Sequence, residues 1–379
     1  MAGVKRKSWE CRDRPGPIQR NHMFLAIRDI RFAKGRFALM GGVVALITLL
    51  LVMLSGLTAG LGNQSTSAIA ALPVQQIVFG APAGSQPTLS YTESEVSRDQ
   101  LQSWQGRPGV SSVHELGISQ TRFQSVNGNG EASGTANVAV FGGDLVDVDD
   151  GTVVVSESVA KELDVQPGSR VRLAGNTFVV SDVVGDQWYS HTPVVWTTLS
   201  DWRSISHSAP DTATVLGVKS DAGTSLDIQA ANAAAGTVSS DVQGSFQALG
   251  SYKSENGSLM LMQAFLYGIS ALVIMAFLTV WTVQRTRDIA VLRALGGSTG
   301  YVLRDALAQA AIVLCAGAGA GGLLGLIGGT AAAQAAPFLI TPLTTLLPVM
   351  GIVVLGLAGA VLAVGRVTKV DPLLALGGN

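Results

Sequence analysis

Long apolar runs alternate in this chain with a mixed polar middle. Phe37–Leu61 holds 25 residues without a charge, and Leu259–Val283 is a second charge-free run of 25. Between Asp305 and Arg366, sixty consecutive residues carry no charge. A helix of about 25 residues is roughly 37 Å long, enough to cross a hydrocarbon core of ~30 Å with some tilt. Sixty residues are too many for one crossing, and Pro337, Pro342 and Pro348 mark a break. The pattern predicts four transmembrane helices, at 37–61, 259–283, 305–332 and 344–365, with an outer loop at 333–343. A cleaved signal peptide is the rival reading of the first run, since Ala68-Ile69-Ala70 fits a small-residue cleavage site. The run is far longer than the usual apolar core of such a peptide, which favours an anchored helix. In the third span, Gly317, Gly321, Gly325 and Gly329 recur every four residues, a small-xxx-small stripe that lets helices approach closely.

The middle, 62–258, has another period. Strand-like runs occur at Gln76–Phe79, Asn137–Phe141, Thr152–Val155, Arg170–Leu173, Thr177–Val184 and Thr214–Val218, separated by Gly, Pro and Asp. Ser156–Leu163 predicts a short helix capped by Ser156, followed by a Pro167-Gly168 turn. Asn127–Gly130 predicts a loop, and Ala230–Ser240 a connector or weak helix. The expected fold is an α-helical membrane protein with four spans in a 1+3 arrangement. An α+β domain lies between the first and second spans.

Charge assigns the sides. Residues 62–258 hold nine Lys/Arg against twenty Asp/Glu, and the rest of the chain holds sixteen basic against six acidic groups. Basic flanks and an acidic middle place the flanks inside and the middle outside. Residues 1–22 are basic and aperiodic, and read as a disordered extension or a misplaced start. In 23–36, Phe24, Ile27 and Ile30 oppose Arg28, Arg31 and Lys34, as in an amphipathic helix lying in the inner interface; a flanking cluster of charges that only orients the first span is the alternative. The two cysteines, Cys11 and Cys315, cannot build a disulfide framework.

The loop 284–304, between the second and third spans, carries Arg285, Arg287, Arg293 and Arg304. Ile289, Leu292 and Leu295 share one helical face, with the basic groups mostly off it. A basic helix between two spans is cytoplasmic; from charge alone, it serves either orientation or docking.

QRTRDIAVLRALGGS resembles the signature loop of the FtsX-like/MacB-like permeases, the membrane subunits of type VII ABC transporters. The tail 366–379, with Arg366, Lys369 and Asp371-Pro372, resembles that family's C-terminus, and VVVSESVAKELDVQPGSRVRLAGNTFVVSDVV resembles its extracytoplasmic core domain. The resemblance implies a coupling helix in which Arg285, Arg287, Asp288, Ile289, Leu292, Arg293 and Leu295 meet a cognate ATPase. No lysine follows a glycine anywhere in the chain, so no phosphate-cradling Walker loop exists here. ATP and Mg are expected on the partner subunit, present in two copies, and this chain is expected to be a non-catalytic subunit without an intrinsic cofactor. No H-E-x-x-H or C-x-x-C occurs, and His114, His191 and His207 read as isolated surface or core residues.

MFLAIRDIRFAKGRFAL, LLLVMLSGLTAGLG, SHTPVVW, YKSE, MQAFLYGISALV and TKVDPLLALG together resemble the permeases of actinobacterial haem exporters. That resemblance implies haem efflux, a permease homodimer and capture of haem from the lipid between facing first and second spans. Met, Tyr and Glu can ligate haem iron, although methionine in a membrane helix is more often packing. The candidate haem contacts are Met53, Glu255 and Met262, then Met260 and Tyr267. No metal other than haem iron and no nucleic acid is expected. The alternatives are another amphipathic cargo (peptide, antibiotic or lipid) or an FtsX-type subunit that transmits motion to an outer partner.

Overall fold

The computed structural model describes residues 34–221, 223, 225–284 and 299–367. The extension 1–22, residues 23–33 of the interfacial helix, all seven coupling residues from Arg285 to Leu295, and 368–379 of the tail lie outside the described residues. Among the described residues, four helices are long and apolar enough to cross a membrane: Lys34–Ala70, Gly250–Gln284, Thr299–Ala332 and Pro342–Val367. They are the first to fourth spans below. The chain divides into two compact units. One contains the chain up to Leu50, Tyr267–Leu324 and the chain from Leu346; the other contains Leu51–Leu266 and Gly325–Thr345.

In the first unit, the helices meet through small residues. A Cβ at Gly317 would crowd the Gly41 carbonyl and Val44, and one at Gly321 would crowd the Ala45 carbonyl and Thr48. Val44, Leu314, Ala318 and Ile352 are buried there, whereas Leu39, Leu46 and Leu272 are exposed.

In the second unit, the outer ends of two spans continue past their apolar runs. The first helix extends to Ala70, and the second begins at Gly250 rather than near Leu259. The expected domain boundaries at 62 and 258 therefore fall inside helices. The extension GNQSTSAIA is not lipid-like, but Ala68 and Ile69 are fully buried in the domain core. Burial in protein substitutes for burial in lipid, and the helix continues. It also leaves Ala68-Ile69-Ala70 within helix and largely buried, unlike an accessible cleavage site.

The domain has twelve strands: β1 Gln76–Phe79, β2 Val96–Ser97, β3 Val110–Val126, β4 Ala132–Gly143, β5 Thr152–Ser156, β6 Arg170–Leu173, β7 Asn176–Val184, β8 Trp188–Tyr189, β9 Thr192–Thr197, β10 Thr212–Ala213, β11 Val215–Ser220 and β12 Val238–Asp241. Nine pair in the order β12-β1-β11-β3-β4-β9-β5-β7-β6. β6 also pairs with β3, closing a ring of six strands, and β8 is added as a hairpin on β9. β4–β9 and β5–β7 are parallel, so the sheet is mixed.

Several local expectations are corrected. Ser156 precedes the helix Glu157–Leu163 but does not cap it; its hydroxyl donates to the Val194 carbonyl at 2.6 Å. Residues 230–240 divide into the end of helix Ile228–Ala235 and the edge strand β12. The long strand β3 contains Gly117, opposite Gly142 of β4. Both glycines lie under Trp202, where any Cβ would enter the indole. Trp202 Nε1 donates to Ser119 Oγ at 3.1 Å, which satisfies the ring's polar atom.

Candidate functional site

A row of aromatic rings runs through the domain core: Phe79, Tyr91, Tyr189, Phe141 and Trp196. Their centroids are 4.9, 5.9, 5.4 and 5.1 Å apart in that order, all edge to face. This is the arrangement that ring quadrupoles favour. Burial pushes the Tyr91 and Tyr189 hydroxyls well above the ordinary tyrosine range. Tyr91 donates to Ser245 Oγ at 3.0 Å.

Tyr189 also ends β8, and the chain reverses through Ser190-His191 into β9. Both tip residues are left-handed, with φ of 48° and 64°. A two-residue turn with both central residues at positive φ matches strand twist but usually needs Asn and Gly. For Ser and His it costs on the order of 1–3 kcal/mol each and persists only where surrounding contacts impose it.

The contacts are present. Ser190 N donates to the Ser65 carbonyl at 3.1 Å and His191 N to the Gln64 carbonyl at 3.0 Å, both on the extended first helix. Trp188 N donates to Ser67 Oγ at 2.9 Å. Toward the second helix, Ser190 Oγ lies 3.0 Å from Ser251 Oγ, and His191 Nε2 lies 2.9 Å from Glu255 Oε2. The hairpin tip thus ties together the outer ends of the first and second spans.

His191 Nε2 also lies 3.2 Å from Ser65 Oγ. Ser, His and Glu together invite comparison with a nucleophilic triad, but such a relay uses both ring nitrogens, one for the nucleophile and the other for the acid. Here both neighbours share Nε2. A carboxylate only accepts, so Nε2–H is the donor to Glu255 and cannot act as a base toward Ser65. The arrangement holds a carboxylate in place and does not activate a hydroxyl.

The five sequence candidates separate accordingly. Glu255 is half-exposed and held by His191. Met262 is seven residues on, on nearly the same face and two turns further along the second helix, and is exposed. Met260 is also exposed, with its sulfur accepting from Asn256 Nδ2 at 3.6 Å. Met53 lies against the third span: a Cβ at Gly328 would be 3.5 Å from its Sδ. Tyr267 belongs to the other unit and lies against Gly351, where a Cβ would be 3.1 Å from its Cε1. Among the described residues no three His, Cys, Asp or Glu side chains gather as a metal site. Sequence reasoning missed His191, whose partners are 64 and 126 positions away. The usable signal was Trp-Tyr and Thr-Pro-Val-Val-Trp separated by two polar residues, a hairpin spacing.

Comparison with known proteins places the chain. The model for the MacB-like periplasmic core domain matches residues 37–243, and that for the FtsX-like permease C-terminal region matches 260–372. A protein of Staphylococcus epidermidis named as a hemin transport system permease, HrtB, is 23% identical over 369 residues, covering 94% of this chain and 100% of its own. An uncharacterized ABC transporter permease of Mycobacterium bovis is 24% identical over 384 residues, covering 94% of this chain and 99% of its own. Among solved structures, the periplasmic region of MacB from Actinobacillus actinomycetemcomitans aligns with a TM-score of 0.34 and 12% identity, covering 46% of this chain and 91% of that one. The core-domain match alone spans more than half of the sequence. The chain therefore belongs to the FtsX-like/MacB-like ABC transporter permeases, multi-pass membrane proteins with an extracytoplasmic domain between the first and second spans, a family that implies an ATPase partner.

Proposed function

We propose that this chain is the permease subunit of an ABC-type exporter that removes haem from the membrane. A homodimer of the chain forms the transport unit, and two copies of a separate ATPase supply the energy. The observation that carries the reading is Glu255 and Met262 on one face at the outer end of the second span, half-exposed and exposed respectively. A carboxylate suits the harder ferric iron and a thioether the softer ferrous iron. Leu261 and Phe265, exposed on the same stretch, offer apolar surface to a porphyrin. Similarity along nearly the whole chain to a permease named for hemin transport supports the same cargo.

Haem is amphipathic and partitions into lipid, so capture from the membrane needs an exposed apolar face with a polar edge, as found here. The ATPase works through the loop holding Arg285–Leu295, and nucleotide-driven movement there narrows the dimer crevice and expels the cargo.

Two measurements test this. A strain lacking the chain is expected to become haemin-sensitive and to recover on complementation. The purified permease is expected to take up haemin with a Soret shift, weakened about tenfold or more in Glu255→Gln and Met262→Ala. Wild-type protein without a shift, in a strain whose haemin tolerance is unchanged by deletion, overturns the reading. It returns the cargo to a peptide, antibiotic or lipid.

A further inference from the structure

We infer that His191 is the positioning residue for Glu255, holding one carboxylate oxygen so that the other is presented to the cargo. This rests on the proposed haem reading and extends it to a residue on the hairpin that lies across from the second helix.

Glu255 alone is poorly placed to be a ligand. Its side chain is 42% exposed, and a long acidic side chain at that exposure explores many rotamers. Among the described residues its carboxylate has one hydrogen-bond partner, His191 Nε2, on Oε2. That leaves Oε1 available. A donor fixed behind a ligating group sets its direction and reduces the ordering needed when the ligand arrives.

His191 can do this because its own position is imposed from several sides. Tyr189, two residues before it, is locked between the Tyr91 and Phe141 rings. The tip backbone is bonded to Gln64 and Ser65, and its left-handed geometry is maintained by those contacts. Ser190 to Ser251 adds a second tie one turn earlier on the second helix. His191 is therefore a fixed donor that holds a carboxylate carried on a long, half-exposed side chain.

A purely mechanical clamp would use the same contacts, so the test must separate positioning from clamping. Haemin is titrated into the purified full-length permease while the Soret maximum and affinity are read, with thermal unfolding followed in parallel. His191→Ala is expected to weaken haemin binding about tenfold and move the Soret maximum toward that of Glu255→Gln. His191→Gln, which restores a donor of similar reach, is expected to bind within about threefold of wild type with the wild-type spectrum. In a Glu255→Gln background, His191→Ala is expected to add nothing further, because the ligating carboxylate that His191 positions is already gone. Ser251→Ala removes the neighbouring tie and is expected to leave the spectrum unchanged.

If wild type binds haemin and His191→Ala matches it in spectrum and affinity, the inference fails and the proposed function stands. Equal losses of stability and binding capacity in His191→Ala, His191→Gln and Ser251→Ala, with no spectral change, assign the hairpin a clamping role only and overturn the inference. Wild-type protein without a Soret shift overturns both.

Discussion

In the extracytoplasmic domain, several of the bulkiest side chains are fully hidden: Trp104, Phe79, Phe123, Phe141 and Leu116 have no exposed surface. In the helices of the other unit, Leu39, Leu46 and Leu272 lie open at 58–68% exposure, while Ala318 and Ala360 are buried. The two regions differ because their solvents differ. In water, burial of large apolar groups drives folding. In lipid, a leucine gains little by leaving the tails, and helices associate through close backbone approach at small residues. Gly317 and Gly321 permit that approach to the first span, while Gly117 and Gly142 do the opposite job, making room for Trp202.

The comparison can be broken at several points. Phe141→Ala empties a packed aromatic row and is expected to cost about 3–5 kcal/mol, read as a lowered unfolding midpoint of the full permease in detergent. Leu116→Ala is expected to cost about 2–5 kcal/mol for the same reason. Gly321→Val pushes a branched side chain onto the Ala45 backbone and is expected to cost about 1–3 kcal/mol. The neighbouring Gly319→Ala, where a Cβ meets nothing within 4 Å, is expected to be neutral. Leu46→Ala, the same change as Leu116→Ala but on an exposed face, is expected to stay within about 0.5 kcal/mol. A large loss at Leu46 would sharpen the contrast by showing that another protein surface covers that face.

The spans were legible because absence of charge over 25 residues is a one-dimensional signal, independent of what the helix later touches. Among the six strands read from the sequence, β5 (TVVVS) and β7 (NTFVVSDVV) are rich in β-branched residues, which favour the pleated strand. β3 was not legible: VSSVHELGISQTRFQSV is largely polar with a glycine in the middle. Its strand state comes from partners on both sides, β11 and β4, with Gly117 reserved for Trp202. Of the candidate site, Glu255 and Met262 were named from residue type and from the family resemblance, and that they share one helix was not legible, because the helix was expected to begin near Leu259 and it begins at Gly250; Met53 and Tyr267 carry the same chemistry and lie against Gly328 and Gly351.

The order of apolar and polar stretches determined by itself that this chain crosses a membrane four times with an acidic domain after the first crossing. Length, charge and turn chemistry act locally, and they suffice for that. Only the tertiary structure decided that the first helix runs on to Ala70, that the second begins at Gly250, and that His191 meets Glu255. Those outcomes depend on burial and hydrogen bonds between residues far apart in the chain. No local pattern records which distant group will supply the missing partner.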